Sequence, residues 1–269
     1  MKIAFIGGGN MGEAILAALL ENKLCKPSDI AVSDIVEPRR QYLKEKYGIN
    51  VTADNKAAIK GREVLVLAVK PQNINEVLAD LSGNLKHDQV ILSIAAGVRI
   101  ATIIKGTGHD KIVRSMPNTP AQIGLGISGW TATPQVTDKQ KKLAKSILGT
   151  LGKEIYFNEE EYLDKVTAIS GSGPAYVYLF AESLIDGAIE LGLAERDAET
   201  LVLQTILGAA HLMDKSDKKP AELRRNVTSK GGTTERAIEV FEKSNLAGIV
   251  AKAVKAALQR AKELGEAKS

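Results

Sequence analysis

The densest concentration of groups able to do chemistry lies late in the sequence, at Val227-Thr228-Ser229-Lys230-Gly231-Gly232-Thr233-Thr234, where hydroxyl side chains flank paired glycines. Apolar residues at Ala237, Ile238 and Phe241 follow with helical spacing, so the turn should open a helix. The first N–H groups of a helix have no partner within it, and the helix dipole favours an anion there. Paired glycines let backbone approach a ligand closely, while Ser229, Thr233 and Thr234 add hydroxyls that donate or accept. Together these make a cradle for a small carboxylate or a phosphate. Taken alone, the stretch reads more simply as a helix start capped by Thr. The rest of the sequence favours the cradle.

A second concentration stands at the very start. Lys2-Ile3-Ala4-Phe5-Ile6 is a short apolar run ending in Gly7-Gly8-Gly9-Asn10-Met11-Gly12, and Ala14 to Leu20 then reads as a buried helix. This is G-x-G-x-x-G in the context a dinucleotide site requires, strand before and helix after. Gly7 permits the tight turn, Gly9 the approach of a pyrophosphate, and Gly12 close packing of helix on strand. A second strand, Ile30-Ala31-Val32-Ser33-Asp34, follows. Asp34 stands where an acid would hold a ribose 2′-OH and repel a 2′-phosphate, whereas Arg39 and Arg40 are placed to attract that phosphate or to lie solvated at the start of the next helix. Sequence alone leaves NAD and NADP both open.

Composition narrows the classes further. The 269 residues are 44% hydrophobic, enough for a sizeable core and two domains. A net charge of +4 with interspersed signs, and Trp130 as the single tryptophan, argue against nucleic-acid binding. Cys25 stands alone and His87, His109 and His211 are scattered, so neither a disulfide framework nor a metal site is expected. With no apolar run of spanning length, a soluble cytoplasmic protein without membrane contact is expected.

These sites need elements to position them. Glu63 to Val69 is a nearly continuous apolar strand of the kind buried in a parallel sheet, ending in Lys70-Pro71-Gln72-Asn73. Gln89 to Ile94 and Lys111 to Met116 are further strands, ending in Ala95-Ala96-Gly97 and Pro117-Asn118-Thr119-Pro120; ligands of open α/β sheets bind beyond such ends. For Lys70 and Asn118, loop shaping and ligand contact are equally open. Strands at 123–133 and 154–157 enclose a helix at 138–151, and the first domain closes near Asn158. Beyond it strands cease. Pro174 starts an apolar helix running to Leu191, with so few charges that it should be buried on most sides, and helices at 196–214 and 245–264 follow before a frayed end at 266–269. An apolar helical domain of this size often completes its core with a second copy. The fold class is therefore α/β at 1–160 followed by an all-α domain at 161–269.

The stretch Pro220 to Glu242, with its Ser229-Lys230-Gly231-Gly232-Thr233-Thr234 centre, resembles the signature of the pyrroline-5-carboxylate reductases. Gly7 to Gly12, Ala68-Val69-Lys70-Pro71, Ser93 to Gly97, Met116 to Pro120 and Ser170 to Tyr176 resemble that family in the same order. The resemblance implies a Rossmann domain binding NADPH or NADH, an all-α C-terminal dimerisation domain, and a homodimer assembled into a larger ring such as a decamer. It implies an active site between cofactor and helical domain, near the protomer interface. Gly7, Gly9, Asn10, Met11 and Gly12 would hold the pyrophosphate; Ser33, Asp34, Arg39 and Asn55 would serve the adenosine ribose. Ala68, Val69, Lys70, Pro71, Ala95 and Asn118 would line the crevice toward the nicotinamide. Ser229, Gly231, Gly232, Thr233 and Thr234 would hold L-1-pyrroline-5-carboxylate, with Thr234 near the imine nitrogen. Two positions depart from the pattern: Lys230 replaces a common proline, and Asp34 stands where NADP-using members carry a small hydroxyl residue.

That chemistry suits these residues. A protonated cyclic imine is already electrophilic, so positioning and an anion cradle matter more than a strong general acid. Thr234 is expected to orient the nitrogen first and relay a proton second. Two other readings compete. A β-hydroxyacid dehydrogenase would carry a lysine on the helix after its glycine turn, and Pro174 to Glu182 has none. A non-catalytic dinucleotide sensor would have no need of the second cradle.

Overall fold

The computed structural model describes residues 1–266; positions 267–269, most of the stretch expected to fray, lie outside the described residues. An eight-stranded sheet forms the scaffold, in the order β3-β2-β1-β4-β5-β6-β7-β8. Its strands are β1 (Ile3–Ile6), β2 (Ile30–Ser33), β3 (Asn50–Thr52), β4 (Val64–Leu67), β5 (Val90–Ser93), β6 (Ile112–Met116), β7 (Gly126–Ala132) and β8 (Gly152–Tyr156). All neighbours run parallel except β6 and β7.

The central strands are apolar throughout because both faces are covered. In β1, Ile3 and Phe5 enter one core and Ala4 and Ile6 the other, as the two-residue period of a strand demands. The first core is closed by Ile15, Leu16 and Leu19 of α1 (Asn10–Glu21), Leu43 of α2 (Glu37–Tyr47), and Ile147 and Leu148 of α6 (Asp138–Gly149). The second is closed by Ala58 and Ile59 of α3 (Asn55–Ile59), Ile74, Leu78 and Leu81 of α4 (Ile74–Leu81), and Ile103 of α5 (Ile100–Thr107). Each such Leu, Ile or Phe contributes about 1.5–3 kcal/mol by leaving water. The short elements β3, α3, α4 and α5 have no counterpart in the sequence reading, being too brief for their periodicity to stand out.

Chain packing divides the molecule into two compact units. One is Met1–Ser172 together with the chain from Ala257; the other is Gly173–Ala256. The first therefore extends past the boundary read at 160, taking in α7 (Tyr162–Val166) and the π-helical turn Thr167–Gly171. It also includes the end of the last helix, α12 (Leu246–Glu266), where Ala261 and Gly265 are buried and Leu264 lies against Gly97.

The second unit consists of α8 (Gly173–Glu190), α9 (Glu195–Lys215), α10 (Pro220–Asn226), α11 (Thr233–Lys243) and the start of α12. Here the expectation that helix 175–191 is buried on most sides fails within one chain. No residue of α8 is buried; Tyr178, Leu179 and Leu191 stay exposed, as do Leu203 of α9 and Val240 of α11. Large apolar side chains left exposed in this number mark an interface.

Candidate active site

A cavity of about 300 Å³ opens at the carboxyl ends of β1, β2 and β4. From β1 the sheet continues to β2 and β3 on one side and to β4 and β5 on the other, so the cavity lies where the strand order reverses. That is where open α/β sheets bind ligands. Of the residues singled out from sequence, Gly7, Gly9, Ser33, Asp34, Asn55, Ala68, Val69 and Lys70 line it.

The glycine turn owes its shape to two close approaches. Gly7 has φ of +97°, and a Cβ there would lie 2.7 Å from the Ala68 carbonyl oxygen. A Cβ on Gly12 would lie 2.8 Å from the Gly7 carbonyl oxygen and 3.3 Å from the Ala68 Cβ, so α1 packs directly on the turn. Gly9 differs: a Cβ there would meet nothing within 4 Å, and Gly9 is both the N-cap of α1 and part of the cavity wall. A helix whose first amides begin beside open space, with no side chain in the way, fits a pyrophosphate.

Asp34 is half-buried and braces this turn. Its carboxylate accepts from the Gly8 N–H at 2.8 Å and from the Val36 N–H at 2.9 Å. The Ser33 hydroxyl donates to the Asn55 side-chain oxygen at 2.6 Å, and Asp54 caps α3 by accepting from the Lys56 and Ala57 amides. Ser33, Asp34 and Asn55 thus present hydroxyl, carboxylate and amide to one corner of the cavity, a set suited to ribose hydroxyls.

Other expected residues stand elsewhere. Asn10 and Met11 open α1 outside the cavity lining, with Met11 packed on the first core. Ala95 is buried, and Pro71 begins a 3₁₀ turn beside the cavity wall. Asn118 shapes its loop, its side-chain oxygen accepting from the Ile127 N–H at 2.9 Å. The Arg39 Nε donates to the Gly8 carbonyl oxygen at 2.5 Å and its Nη2 pairs with Glu13, while the Arg40 Nη1 donates to the Asp34 carbonyl oxygen at 2.7 Å. Neither arginine lines the cavity. Lys70 is the one cation on its wall among the described residues.

Ile35, Val36, Asn73, Glu76 and Val77 line the cavity without having been singled out from sequence. Ile35 carried a usable signal, an isoleucine directly after the acid that follows β2, and it is 81% exposed. The other polar members come with α4, itself unassigned. Glu13 was missed too. Its carboxylate accepts from the hydroxyls of Tyr47 at 2.7 Å and Tyr42 at 3.0 Å and from the Lys46 ammonium at 3.0 Å, besides pairing with Arg39. Burial raises its pKa, but these four donors outweigh that and hold it near 2.

The late loop forms part of the second unit. Gly231 has φ of +74° and its N–H donates to the Glu235 carboxylate at 2.7 Å; the Gly232 N–H donates to the Ser229 carbonyl oxygen at 3.0 Å. Helix α11 then begins at Thr233. Its N-cap is Gly232, with no side-chain cap bond, so the threonine-capped alternative is not what forms. Thr233 and Thr234 occupy the first two helical positions, where amides find no intrahelical carbonyl. Ser229 and Thr233 are exposed and Thr234 half-buried.

The histidines take no part in either feature. His109 is buried, its Nε2 2.9 Å from the Gln89 carbonyl oxygen, and burial pushes its pKa down. Among the described residues no group of three or more His, Cys, Asp or Glu could hold a metal ion, and no helix is long and apolar enough to cross a membrane.

Comparison with known proteins adds independent findings. Residues 160–264 match the model for pyrroline-5-carboxylate reductase dimerisation, and residues 2–97 match a model described as NADP oxidoreductase coenzyme F420-dependent. A pyrroline-5-carboxylate reductase of Synechocystis is 42% identical, covering 99% of each chain, and that of Pseudomonas aeruginosa is 40% identical over 98% of this chain and 97% of its own. The structure of the Coxiella burnetii pyrroline-5-carboxylate reductase matches with a TM-score of 0.91 at 42% identity, covering 98% of each chain. The Plasmodium falciparum pyrroline carboxylate reductase, solved with NADP bound, matches with a TM-score of 0.88 at 32% identity over 98% of each chain.

Proposed function

The chain belongs to the pyrroline-5-carboxylate reductase family, and from that premise we propose how its own residues carry the reaction. The activity is reduction of the C=N bond of L-1-pyrroline-5-carboxylate to L-proline with a nicotinamide dinucleotide, the last step of proline biosynthesis. The chain is a homo-oligomer through its dimerisation domain. Full-length likeness to reductases takes the place of the β-hydroxyacid dehydrogenase and sensor readings. Assembly of dimers into a larger ring, a cytoplasmic setting and domain limits at 1–160 and 161–269 remain part of this proposal; the match over 160–264 supports the start of the second domain.

When bound, the dihydronicotinamide supplies a hydride. On this reading the Gly7–Gly12 turn and the amides opening α1 hold the pyrophosphate, while Ser33, Asp34 and Asn55 take the adenosine ribose. Ala68, Val69 and Lys70 face the rest of the cofactor across the cavity. The amides of Thr233 and Thr234 and the hydroxyls of Ser229 and Thr233 bind the substrate carboxylate. Glu235, by holding the Gly231 N–H, sets the shape of that loop rather than leaving the amide for the ligand. Thr234 orients the imine nitrogen, whose positive charge in the iminium already makes the ring carbon electrophilic.

Cofactor choice rests on one observation. The ribose corner presents the Asp34 carboxylate, and both nearby arginines are turned onto protein groups. A 2′-phosphate would meet the Asp34 carboxylate while both arginines are engaged by protein groups, so NADH is the preferred reductant. The test follows cofactor absorbance with L-1-pyrroline-5-carboxylate and either dinucleotide, for wild type and Asp34→Ser. Faster oxidation of NADH, shifting toward NADPH in Asp34→Ser, is expected. Wild-type preference for NADPH would refute the assignment of Asp34.

A further inference from the structure

Helix α1 and helix α2 meet at one half-buried carboxylate. Glu13, in the first turn of α1, receives the hydroxyls of Tyr42 and Tyr47 and the cations of Arg39 and Lys46, all from α2. The Arg39 guanidinium also lies over the Tyr42 ring, 5.0 Å from its centroid. Its Nε meanwhile closes on the Gly8 carbonyl oxygen, while Asp34 holds the Gly8 N–H. Gly8 is therefore gripped at both ends of its backbone by residues that follow β2 or begin α2, and Arg39 reaches it while paired with Glu13.

This arrangement accounts for an otherwise odd pairing. Arg39 lies a few residues beyond the ribose-binding acid, and guanidinium is the group best shaped to grip a phosphate. Yet two of its nitrogens are directed at the Gly8 carbonyl of the glycine turn and at the Glu13 carboxylate of α1, and Arg39 does not line the cavity. Three further donors, the Tyr42 and Tyr47 hydroxyls and the Lys46 ammonium, fix the same carboxylate in place, so Arg39 meets an acceptor held at one position.

We propose that Glu13 is a specificity-determining residue for the dinucleotide: by engaging Arg39 it withholds the guanidinium from the ribose corner and so disfavours a 2′-phosphorylated cofactor. The inference rests on the reading of the cavity as the dinucleotide site. Glu13 touches neither cofactor nor substrate in this scheme; it acts through Arg39. Replacing it by an uncharged isostere leaves an acceptor for the tyrosines but removes the ion pair, freeing Arg39 to turn toward a phosphate.

Calorimetric binding of NADH and NADPH, and of 5′-AMP and 2′-phospho-AMP as fragments, tests this without turnover. In Glu13→Gln the NADPH-to-NADH affinity ratio should rise about tenfold, the effect of gaining one charge-assisted hydrogen bond. The fragments should follow, and the gain should vanish in Glu13→Gln/Arg39→Gln. An equal rise for both dinucleotides would show only the loss of a negative charge and would overturn the proposal, as would an unchanged ratio. Arg39→Gln alone provides a check that does not require Glu13→Gln to fold. It should weaken both dinucleotides together by loosening Gly8, and a selective loss of NADPH would show Arg39 already serving the phosphate, again overturning the proposal. If the wild-type chain binds neither dinucleotide, the cavity reading itself fails, an outcome separable from all of these.

Discussion

Gly9 offers the sharpest test of the cofactor site, because its substitution should damage binding and leave folding nearly intact. Its φ of −66° and ψ of −179° suit an alanine, and the added Cβ would meet no protein atom within 4 Å. The folding cost of Gly9→Ala is then that of a poorer N-cap, about 1 kcal/mol or less. In the complex, however, the methyl would occupy the approach to the first amides of α1. Losing one amide–phosphate hydrogen bond, about 1.5–3 kcal/mol, weakens dinucleotide binding roughly ten- to hundredfold. Gly12→Ala makes the contrast. There the Cβ would press within 2.8 Å of the Gly7 carbonyl oxygen, and Gly7 is itself fixed against Ala68. Overpacking of about 1–3 kcal/mol is only partly offset by the ~1 kcal/mol alanine gains over glycine in a helix. Calorimetric affinity for NADH alongside urea denaturation separates the two variants. Wild-type dinucleotide affinity in Gly9→Ala would refute the pyrophosphate assignment.

Three further outcomes are expected. Leu65→Ala, at a fully buried position of β4, should cost about 2–5 kcal/mol in denaturant unfolding; a loss below about 1 kcal/mol would contradict the packing described. Glu13, lowered from 4.5 to about 2 in the folded state, should stabilise the protein at pH above 4.5 and lose that contribution as pH falls from 4.5 toward 2. Unfolding curves between those pH values should thus be steeper in pH for wild type than for Glu13→Gln, and parallel curves would argue against the cluster. Thr234→Ala should lower imine turnover about tenfold, the value of one hydrogen bond of ~1.4 kcal/mol, without changing NADH affinity; unaltered turnover would remove Thr234 from the mechanism.

Local sequence was enough where chemistry and periodicity coincide. The β1–glycine turn–α1 unit is legible because a four-residue apolar strand, glycines at fixed offsets and a helical apolar face each obey short-range rules. The same holds for the helix that opens at Thr233 and for the buried strands β4 and β5, whose apolar runs are covered on both faces. What failed was whatever depended on neighbours. The antiparallel placing of β7 against β6 carries no local mark, since either direction satisfies the same alternation. Helix α8 has too few charges to be a surface helix, and from sequence that implied burial; within one chain it is only partly covered, with none of its residues buried.

The types of residue and the order of the elements, then, were determined by the sequence itself, because strand period, helix period and turn chemistry act over a few positions. Which side chains meet was decided only in three dimensions. Asn118 could have faced a ligand and instead closes its own loop; Arg39 could have faced a phosphate and instead turns to Glu13, twenty-six positions away. Hydrogen-bond geometry over such separations follows from how α1 and α2 pack on the sheet, and no local pattern of residues encodes it.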